Sequence, residues 1–248
     1  MLEHKQRTSI LIFIASFVVM SMLFFDRIPQ DPVYHQFADT RKIAGIANFW
    51  NVFSNLPFLL VGLYGLWRWN RIIKCNHQNA YIALCIGVLL VSFGSAYYHY
   101  APSTDTLLWD RLPMTVAFMA LFSLLLDERV MPREQSLTLL PLLVMGIGSV
   151  VYWYWTEVKG LGDLRPYALV QFLPLVLIPL ILWLFDSDYL QGRLLVAALG
   201  FYLVAKLCEH FDRQLLDLMV VISGHTLKHF LAGIASLCII VAIPRKHD

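Results

Sequence analysis

The sequence predicts an all-α membrane protein, a polytopic bundle of helices that crosses the bilayer several times. Of its 248 residues, 58% are hydrophobic and only 15% are charged, whereas soluble domains carry about 45–50% apolar and roughly 25% charged residues. The apolar residues fall into long runs of the length that a transmembrane helix needs, about 20 residues. The net charge of +2, without a basic run, excludes a typical nucleic-acid-binding protein.

Eight apolar stretches approach that length, and we predict a transmembrane helix in each. They cover residues 9–25, 48–67, 81–100, 108–126, 137–155, 167–185, 194–209 and 218–242. The first stretch could be the apolar part of a signal peptide, but it ends in Met22-Leu-Phe-Phe-Asp26 without a small-residue cleavage pattern. We therefore predict that it is a retained span.

Short connections between the stretches predict one bundle without a second domain. We divide the chain into residues 1–30, a tail with the first helix, residues 31–243, a seven-helix transmembrane domain, and residues 244–248, a C-terminal tail.

Lysine and arginine are enriched in the cytoplasmic loops of membrane proteins. Alternating spans place ten of them on the side of the termini: Lys5, Arg7, Arg68, Arg71, Lys74, Arg129, Arg133, Arg193, Arg245 and Lys246. They place six on the opposite side: Arg27, Arg41, Lys42, Lys159, Arg165 and Arg213. This excess predicts that both termini are cytoplasmic. The short loops, without organelle-targeting signals, fit a bacterial inner membrane.

The four cysteines, Cys75, Cys85, Cys208 and Cys238, form no CxxC pair, and three of them lie inside apolar runs. We predict free thiols packed among helices, without a disulfide framework or a cysteine metal site.

Ionisable residues inside membrane spans are costly and usually mark a functional site. Five such polar residues lie at the same end of the predicted bundle: Ser95, His99, Asp110, His225 and His229. The second span begins with four more polar residues at the same end: Asn48, Asn51, Ser54 and Asn55. We interpret the last three as residues that hold helices together.

Residues four apart share one face of a helix, so His225 and His229 point the same way. With His99 from a neighbouring helix they would form a three-histidine site, the ligand set of a catalytic zinc with a fourth position open for water. Imidazole also binds copper, nickel or iron, but zinc is the default without a redox partner. The sequence therefore predicts a zinc centre at the outer end of the bundle.

Two further residues could take part in a reaction at this centre. Asp110 could act as the general base on a metal-activated water, and Ser95 could stabilise the oxyanion or bind that water. This predicts hydrolysis of a carbonyl compound, and an intramembrane site implies a lipid substrate. Two simpler interpretations stay open, because Asp110 could cap its helix and Ser95 could be a small interface residue. An acidic loop near the site also has an open role: Glu209, His210, Asp212 and Asp217.

Three blocks of sequence resemble the alkaline ceramidase family. Asn48-Phe-Trp-Asn-Val-Phe-Ser-Asn55 resembles the opening helix of that family. Gly94-Ser-Ala-Tyr-Tyr-His99, followed by Asp110-Arg-Leu-Pro-Met114, resembles its S-x-x-x-H and D-x-x-P-M signature. His225-Thr-Leu-Lys-His229 resembles its closing H-x-x-x-H. The likeness covers roughly residues 35–242, which leaves the first span as an addition.

The resemblance implies a fold, an activity and a set of roles. It implies seven helices around an intramembrane cavity, formed here by spans two to eight, and a zinc ion on His99, His225 and His229. Ser95 and Asp110 would assist hydrolysis of the amide of ceramide or a related N-acyl lipid. No protein partner is predicted.

The sequence departs from the family in two places. Asn48 replaces a glutamate of the family, and the segment before it has one acid, Asp39, against two bases, so we predict no calcium site. Lys228 stands between the closing histidines where aromatic residues are usual, which suggests a substrate with an anionic group.

Two other functions remain to be separated from the enzyme. The same superfamily contains progestin and adiponectin-type receptors, so a receptor-like protein with a structural zinc is the alternative. Ser95 and Asp110 beside the histidines argue for the enzyme. Transporters usually show inverted repeats with broken helices, and the sequence has no internal repeat.

Overall fold

The computed structural model describes residues 2–69, 78–131, 138–187 and 190–244, and in these ranges the chain is helical. The all-α fold class is therefore confirmed. The α-helices of the described residues are α1 (His4–Ser21), α2 (Phe49–Phe53), α3 (Leu56–Arg68), α4 (Gln78–Tyr100), α5 (Thr104–Arg129), α6 (Leu139–Val158), α7 (Arg165–Leu184), α8 (Gly192–His210), α9 (Asp212–Met219) and α10 (Gly224–Ala242).

The helices of the described ranges support the predicted polytopic membrane protein. Seven helical segments of the described residues are long and apolar enough to cross a membrane, with α2 and α3 counted together as one segment, and an eighth qualifies if α8 and α9 count as one span. That pair is bent by 83° at Phe211. The last predicted span is shorter than expected, because α10 begins at Gly224 rather than at residue 218. Its first turn is capped by the Ser223 hydroxyl, which accepts a hydrogen bond from the Thr226 backbone N–H.

The second predicted span is broken into α2 and α3. Pro57 occupies the first turn of α3, where its missing N–H is tolerated. The side chains at the break bond to the backbone of α2, because the Ser54 hydroxyl and the Asn55 amide both donate to the Asn51 carbonyl oxygen, at 3.1 and 2.8 Å. The break therefore leaves the polar residues of this segment with defined partners inside the protein.

The start of α5 decides between two interpretations of Asp110. Helix α5 begins at Thr104, so Asp110 lies inside the helix instead of at its first residue. The cap is formed by Ser103 and Thr106, whose backbone N–H groups each donate to the hydroxyl of the other residue, at 3.0 and 3.2 Å. Helix capping therefore does not explain Asp110.

The chain forms two compact units. One consists of Met1–Gln30, Lys74–Leu84 and Thr115–Leu190. In it α7 packs against α1 and α6, and the Arg7 guanidinium donates to the Leu184 carbonyl oxygen at 2.6 Å.

The other unit consists of Asp31–Ile73, Cys85–Met114 and Gln191–Asp248. Helix α10 packs along α8 and also contacts α2 and α3. Close approaches occur at two glycines: a Cβ on Gly224 would lie 2.0 Å from the Cys208 carbonyl oxygen, and one on Gly94 would lie 2.0 Å from the Trp109 carbonyl oxygen. The second approach brings the Ser95 turn of α4 against the Asp110 turn of α5.

Cys85, Cys208 and Cys238 are free thiols, as predicted. Cys75 lies outside the described residues, as do five basic residues of the topology argument: Arg71, Lys74, Arg133, Arg245 and Lys246. The orientation of the bundle stays a prediction.

Candidate metal centre

Three buried histidines meet in the second unit. His99 comes from the last turn of α4, and His225 and His229 come from the first two turns of α10. One ring nitrogen from each lies within 4.8 Å of the others. The structure therefore brings together the three histidines that the sequence predicted as a group.

The spacing of two of these rings fits a divalent metal ion. The Nε2 atoms of His99 and His225 lie 3.3 Å apart. A tetrahedral zinc with Zn–N bonds of about 2.0–2.1 Å separates two of its nitrogen ligands by about 3.3–3.4 Å. Neutral imidazoles in a buried site are also the donors that such a metal prefers.

His229 is oriented by a partner that the sequence analysis had assigned only to packing. The Ser54 Oγ lies 2.7 Å from His229 Nδ1, and the same hydroxyl donates its proton to the Asn51 carbonyl oxygen. The hydroxyl therefore accepts from Nδ1–H, which leaves the lone pair of His229 Nε2 for a metal. Such partners of metal-binding histidines fix both the tautomer and the ring orientation.

Ser54→Ala should weaken metal binding without removing it. Loss of such a partner typically lowers metal affinity by about 10–100-fold, and we expect that range because the His229 ring would lose its tautomer restraint. The measurement is titration of the metal-free protein against a competing chelator. Ser236→Ala is the matched control, since the Ser236 hydroxyl donates only to the Ala232 carbonyl of its own helix. An unchanged affinity in Ser54→Ala would contradict the role of Ser54.

His225 and His99 are held mainly through their backbones. The His225 N–H donates to Asp212 Oδ1 at 2.7 Å, and the Asn48 amide donates to the His99 carbonyl oxygen at 2.8 Å. His225 Nδ1 lies 4.0 Å from Glu209 Oε1. His99 Nδ1 has no hydrogen-bond partner among the described residues.

Phe37 covers two of the rings, a contact that no sequence pattern indicated. Its ring centroid lies 4.7 Å from that of His99 and 4.8 Å from that of His225. The side chain is itself buried, so it excludes water from that side of the histidines. The segment is tied to the bend between α8 and α9, because the Ala38 N–H donates to Asp212 Oδ2 at 2.9 Å.

An ion pair fixes the chain just after Phe37. The Arg41 guanidinium donates to both carboxylate oxygens of Asp39 and to the carbonyl oxygens of Val220 and Val221. Burial of Asp39 raises the pKa of its carboxyl, but the hydrogen bonds from Arg41 outweigh it and lower that pKa below its ordinary value. The carboxylate is therefore ionised at neutral pH and committed to Arg41. The predicted absence of a calcium site stays a prediction.

Ser95 and Asp110 also come together. Both are buried, and the Ser95 hydroxyl hydrogen-bonds the Asp110 carboxylate. Ser95 and His99 are four residues apart on α4 and share a face of that helix. The structure thus joins the predicted general base to its predicted neighbour.

The predicted acidic loop is helical, because its residues belong to α8 and α9, and two of them lie at the site. Glu209 binds the ammonium groups of Lys206 and Lys228, and Asp212 accepts the backbone N–H groups described above. For His210 and Asp217, no contact with the histidines is found among the described residues.

Comparison with known proteins identifies relatives of this chain. A sequence model of the family described as Ceramidase matches residues 42–245. A Dictyostelium discoideum protein named as an alkaline ceramidase, dcd3A, is 33% identical over 82 residues. That alignment covers 28% of this chain and 28% of the relative, so it spans less than a third of the relative's length.

Proposed function

The chain belongs to the ceramidase family, and on this basis we propose that it is a metal-dependent membrane hydrolase that cleaves the amide bond of ceramide or a related N-acyl lipid. The observation that carries the proposal is the convergence of three buried histidines in the unit that also holds the Ser95–Asp110 pair. The matched segment contains all five of these residues.

We assign the metal as Zn²⁺, held by His99, His225 and His229. When bound, this ion would make a water molecule acidic enough to lose a proton near neutral pH and would polarise the amide carbonyl. Three imidazoles would be the protein ligands of such a catalytic zinc.

Asp110 would move the protons of the reaction. Its carboxylate takes a proton from the attacking water while the water oxygen bonds to the amide carbon. The carbon–nitrogen bond then breaks, and Asp110 returns the proton to the leaving nitrogen. The products are a fatty acid and an amine, so atoms and charges balance without another reactant.

Ser95 would orient Asp110, with which it forms a hydrogen bond. A hydroxyl has one proton, so Ser95 cannot donate to Asp110 and to an oxyanion at the same time. Its proposed contact with the oxyanion would need a rotation of the hydroxyl once Asp110 takes up the water proton.

The receptor-like alternative is less well supported. A structural zinc needs only the histidines and their orienting partners. It gives no reason for a buried carboxylate that is hydrogen-bonded by a serine in the same unit, since such a group is costly inside a membrane.

The remaining assignments rest on the sequence pattern. We propose that residues 31–243 form the catalytic domain, preceded by an added N-terminal helix in residues 1–30. From the short loops we propose a bacterial inner membrane, and from the distribution of lysine and arginine we propose cytoplasmic termini and a site toward the outer face.

The test is release of fatty acid from N-acyl-sphingosine by detergent-purified full-length protein. We expect turnover that a strong chelator abolishes and that added zinc restores, because the bound metal would make the attacking water acidic enough to react. His210→Ala should behave as wild type, since His210 is an exposed histidine with no contact to the site among the described residues. Zinc-loaded, folded protein that hydrolyses no N-acyl lipid would contradict the proposed function.

A further inference from the structure

Positive charge is in local surplus beside the metal centre. Lys206 on α8 and Lys228 on α10 share a single carboxylate, Glu209: Lys206 Nζ lies 2.7 Å from Oε2, and Lys228 Nζ contacts Oε1. At ion-pair distance one carboxylate therefore faces two ammonium groups, and the neighbouring Asp110 and Arg111 add one carboxyl and one guanidinium group. The other carboxylate close to His225, that of Asp212, is occupied by two backbone N–H groups.

The cluster of Lys206, Lys228 and Glu209 lies beside the three histidines. Glu209 Oε1 is 4.0 Å from His225 Nδ1. The Lys228 ammonium interacts electrostatically with Asp110 and with the three histidine rings. A charge bound here would therefore sit next to the reacting groups.

The cluster is also accessible, in contrast to the histidines. The side chains of Lys206, Lys228 and Glu209 are 35%, 19% and 19% exposed, whereas His99 is only 1% exposed. A ligand can reach the ammonium groups from outside the described protein while its reacting part extends inward.

Tyr34 adds a neutral donor to the same place. The residue is 42% exposed, and its hydroxyl interacts electrostatically with Lys228, Glu209, Arg111 and Asp110. Burial raises the pKa of this hydroxyl, so it keeps its proton. The Arg111 guanidinium lies 5.7 Å from the centre of the Tyr34 ring.

Surplus charge in a membrane protein needs a counter-charge. An ammonium group in a medium of low dielectric is stable only when it is paired, and here two ammonium groups share one carboxylate at ion-pair distance. Lysine and tyrosine side chains suit a phosphate or carboxylate, which accepts several hydrogen bonds at once.

We propose that Lys206, Lys228 and Tyr34 form a recognition site for an anionic headgroup, so that the preferred substrate is an N-acyl lipid with a phosphate or carboxylate close to the scissile amide. The inference deepens the proposed function and rests on it. Both ammonium groups contact Glu209, and the Lys206 side chain is the more exposed of the two. Lys206 is therefore the residue to change.

The test compares binding of two lipids that differ only in a phosphate group, N-acyl-sphingosine and its 1-phosphate with the same acyl chain. Each displaces a fluorescent N-acyl lipid from the detergent-purified full-length protein. We expect the wild type to prefer the phosphate lipid by about tenfold or more, the effect of one charge-assisted hydrogen bond. Lys206→Gln should lose most of that preference, and Lys206→Arg should keep it. Lys42→Gln, which removes an exposed charge in the same unit, should not change it.

Equal binding of the two lipids by the wild type, or a preference that survives in Lys206→Gln, would overturn the inference. Phosphatidylglycerol is the third arm. If it displaces the phosphate lipid at equal concentration, the cluster binds bulk anionic lipid and the substrate assignment is wrong. Hydrolysis of the same lipids is scored separately, so failure of turnover counts against the proposed function while the binding comparison still decides the headgroup site.

Discussion

Asp110→Asn should abolish most hydrolysis while the protein keeps its metal. The amide side chain has nearly the same shape as the carboxylate and can still accept the Ser95 hydrogen bond, but it cannot take up a proton from water. General base catalysis contributes about 10²–10⁴-fold, and we expect a loss of kcat in that range. The measurements are turnover of an N-acyl lipid and metal content on the same preparation.

The control for this variant is Asp105→Asn. Asp105 is an exposed carboxylate in the first turn of the same helix, so its replacement removes an equal charge nearby. Full activity in Asp110→Asn would refute the assignment of the base. Loss of metal in that variant would show that the carboxylate supports the histidines instead of the proton transfer.

His225→Ala should lose the metal, the activity and part of the thermal stability together. The variant removes one of three ligands, and the rings of α4 and α10 would no longer share an ion. A ligand present at 100 times its Kd stabilises the folded protein by about 2.7 kcal/mol, and this contribution disappears with the ion. Metal content and the thermal unfolding midpoint, with and without chelator, measure both effects.

His210→Ala is the control for this variant, because it also removes a histidine near the bend but not a proposed metal ligand. His210 ends α8 and is exposed, so its variant should retain both metal and melting temperature. Unchanged metal content in His225→Ala would remove His225 from the ligand set. A lower melting temperature that persists in chelated protein would assign the effect to packing of α10.

The sequence was sufficient for the class of fold and for the histidine cluster. Transmembrane helices are encoded locally, because about 20 consecutive apolar residues are needed to span the bilayer. The four-residue spacing of His225 and His229 fixes their common face on any helix. His99 needed the additional assumption that alternating spans place its end of α4 at the same depth.

The breaks in the helices were not predictable from hydropathy. Residues 48–67 are apolar enough for one span, and the break at Ser54 and Asn55 depends on side chains that bond to the backbone of α2. The 83° bend after α8 lies in a segment that hydropathy treated as a loop, and it is followed by α9, a short helix that was not predicted. A polar residue at each break contacts a histidine of the site, Ser54 at the first and Asp212 at the second. Hydropathy alone does not indicate these contacts.

The partners of the histidines depend on tertiary packing. Phe37 and Ser54 are ordinary residues in the sequence, and each meets its ring from a different segment of the chain. In the sequence, Asp212 belongs to an acidic segment, and such segments are usually exposed to water. The structure shows that its carboxylate accepts hydrogen bonds from two backbone N–H groups. Contacts between residues so distant in sequence leave no local pattern.

The most direct test of the account is the metal content of detergent-purified full-length protein, measured by mass spectrometry. Wild type is compared with His99→Ala, His225→Ala and His229→Ala, with His210→Ala as the control. We expect about one zinc ion per chain in the wild type and in His210→Ala, and the loss of that ion in the other three variants. A folded wild-type protein that binds no metal, or three variants that all retain it, would contradict the central claim that these histidines form the metal centre of a hydrolase.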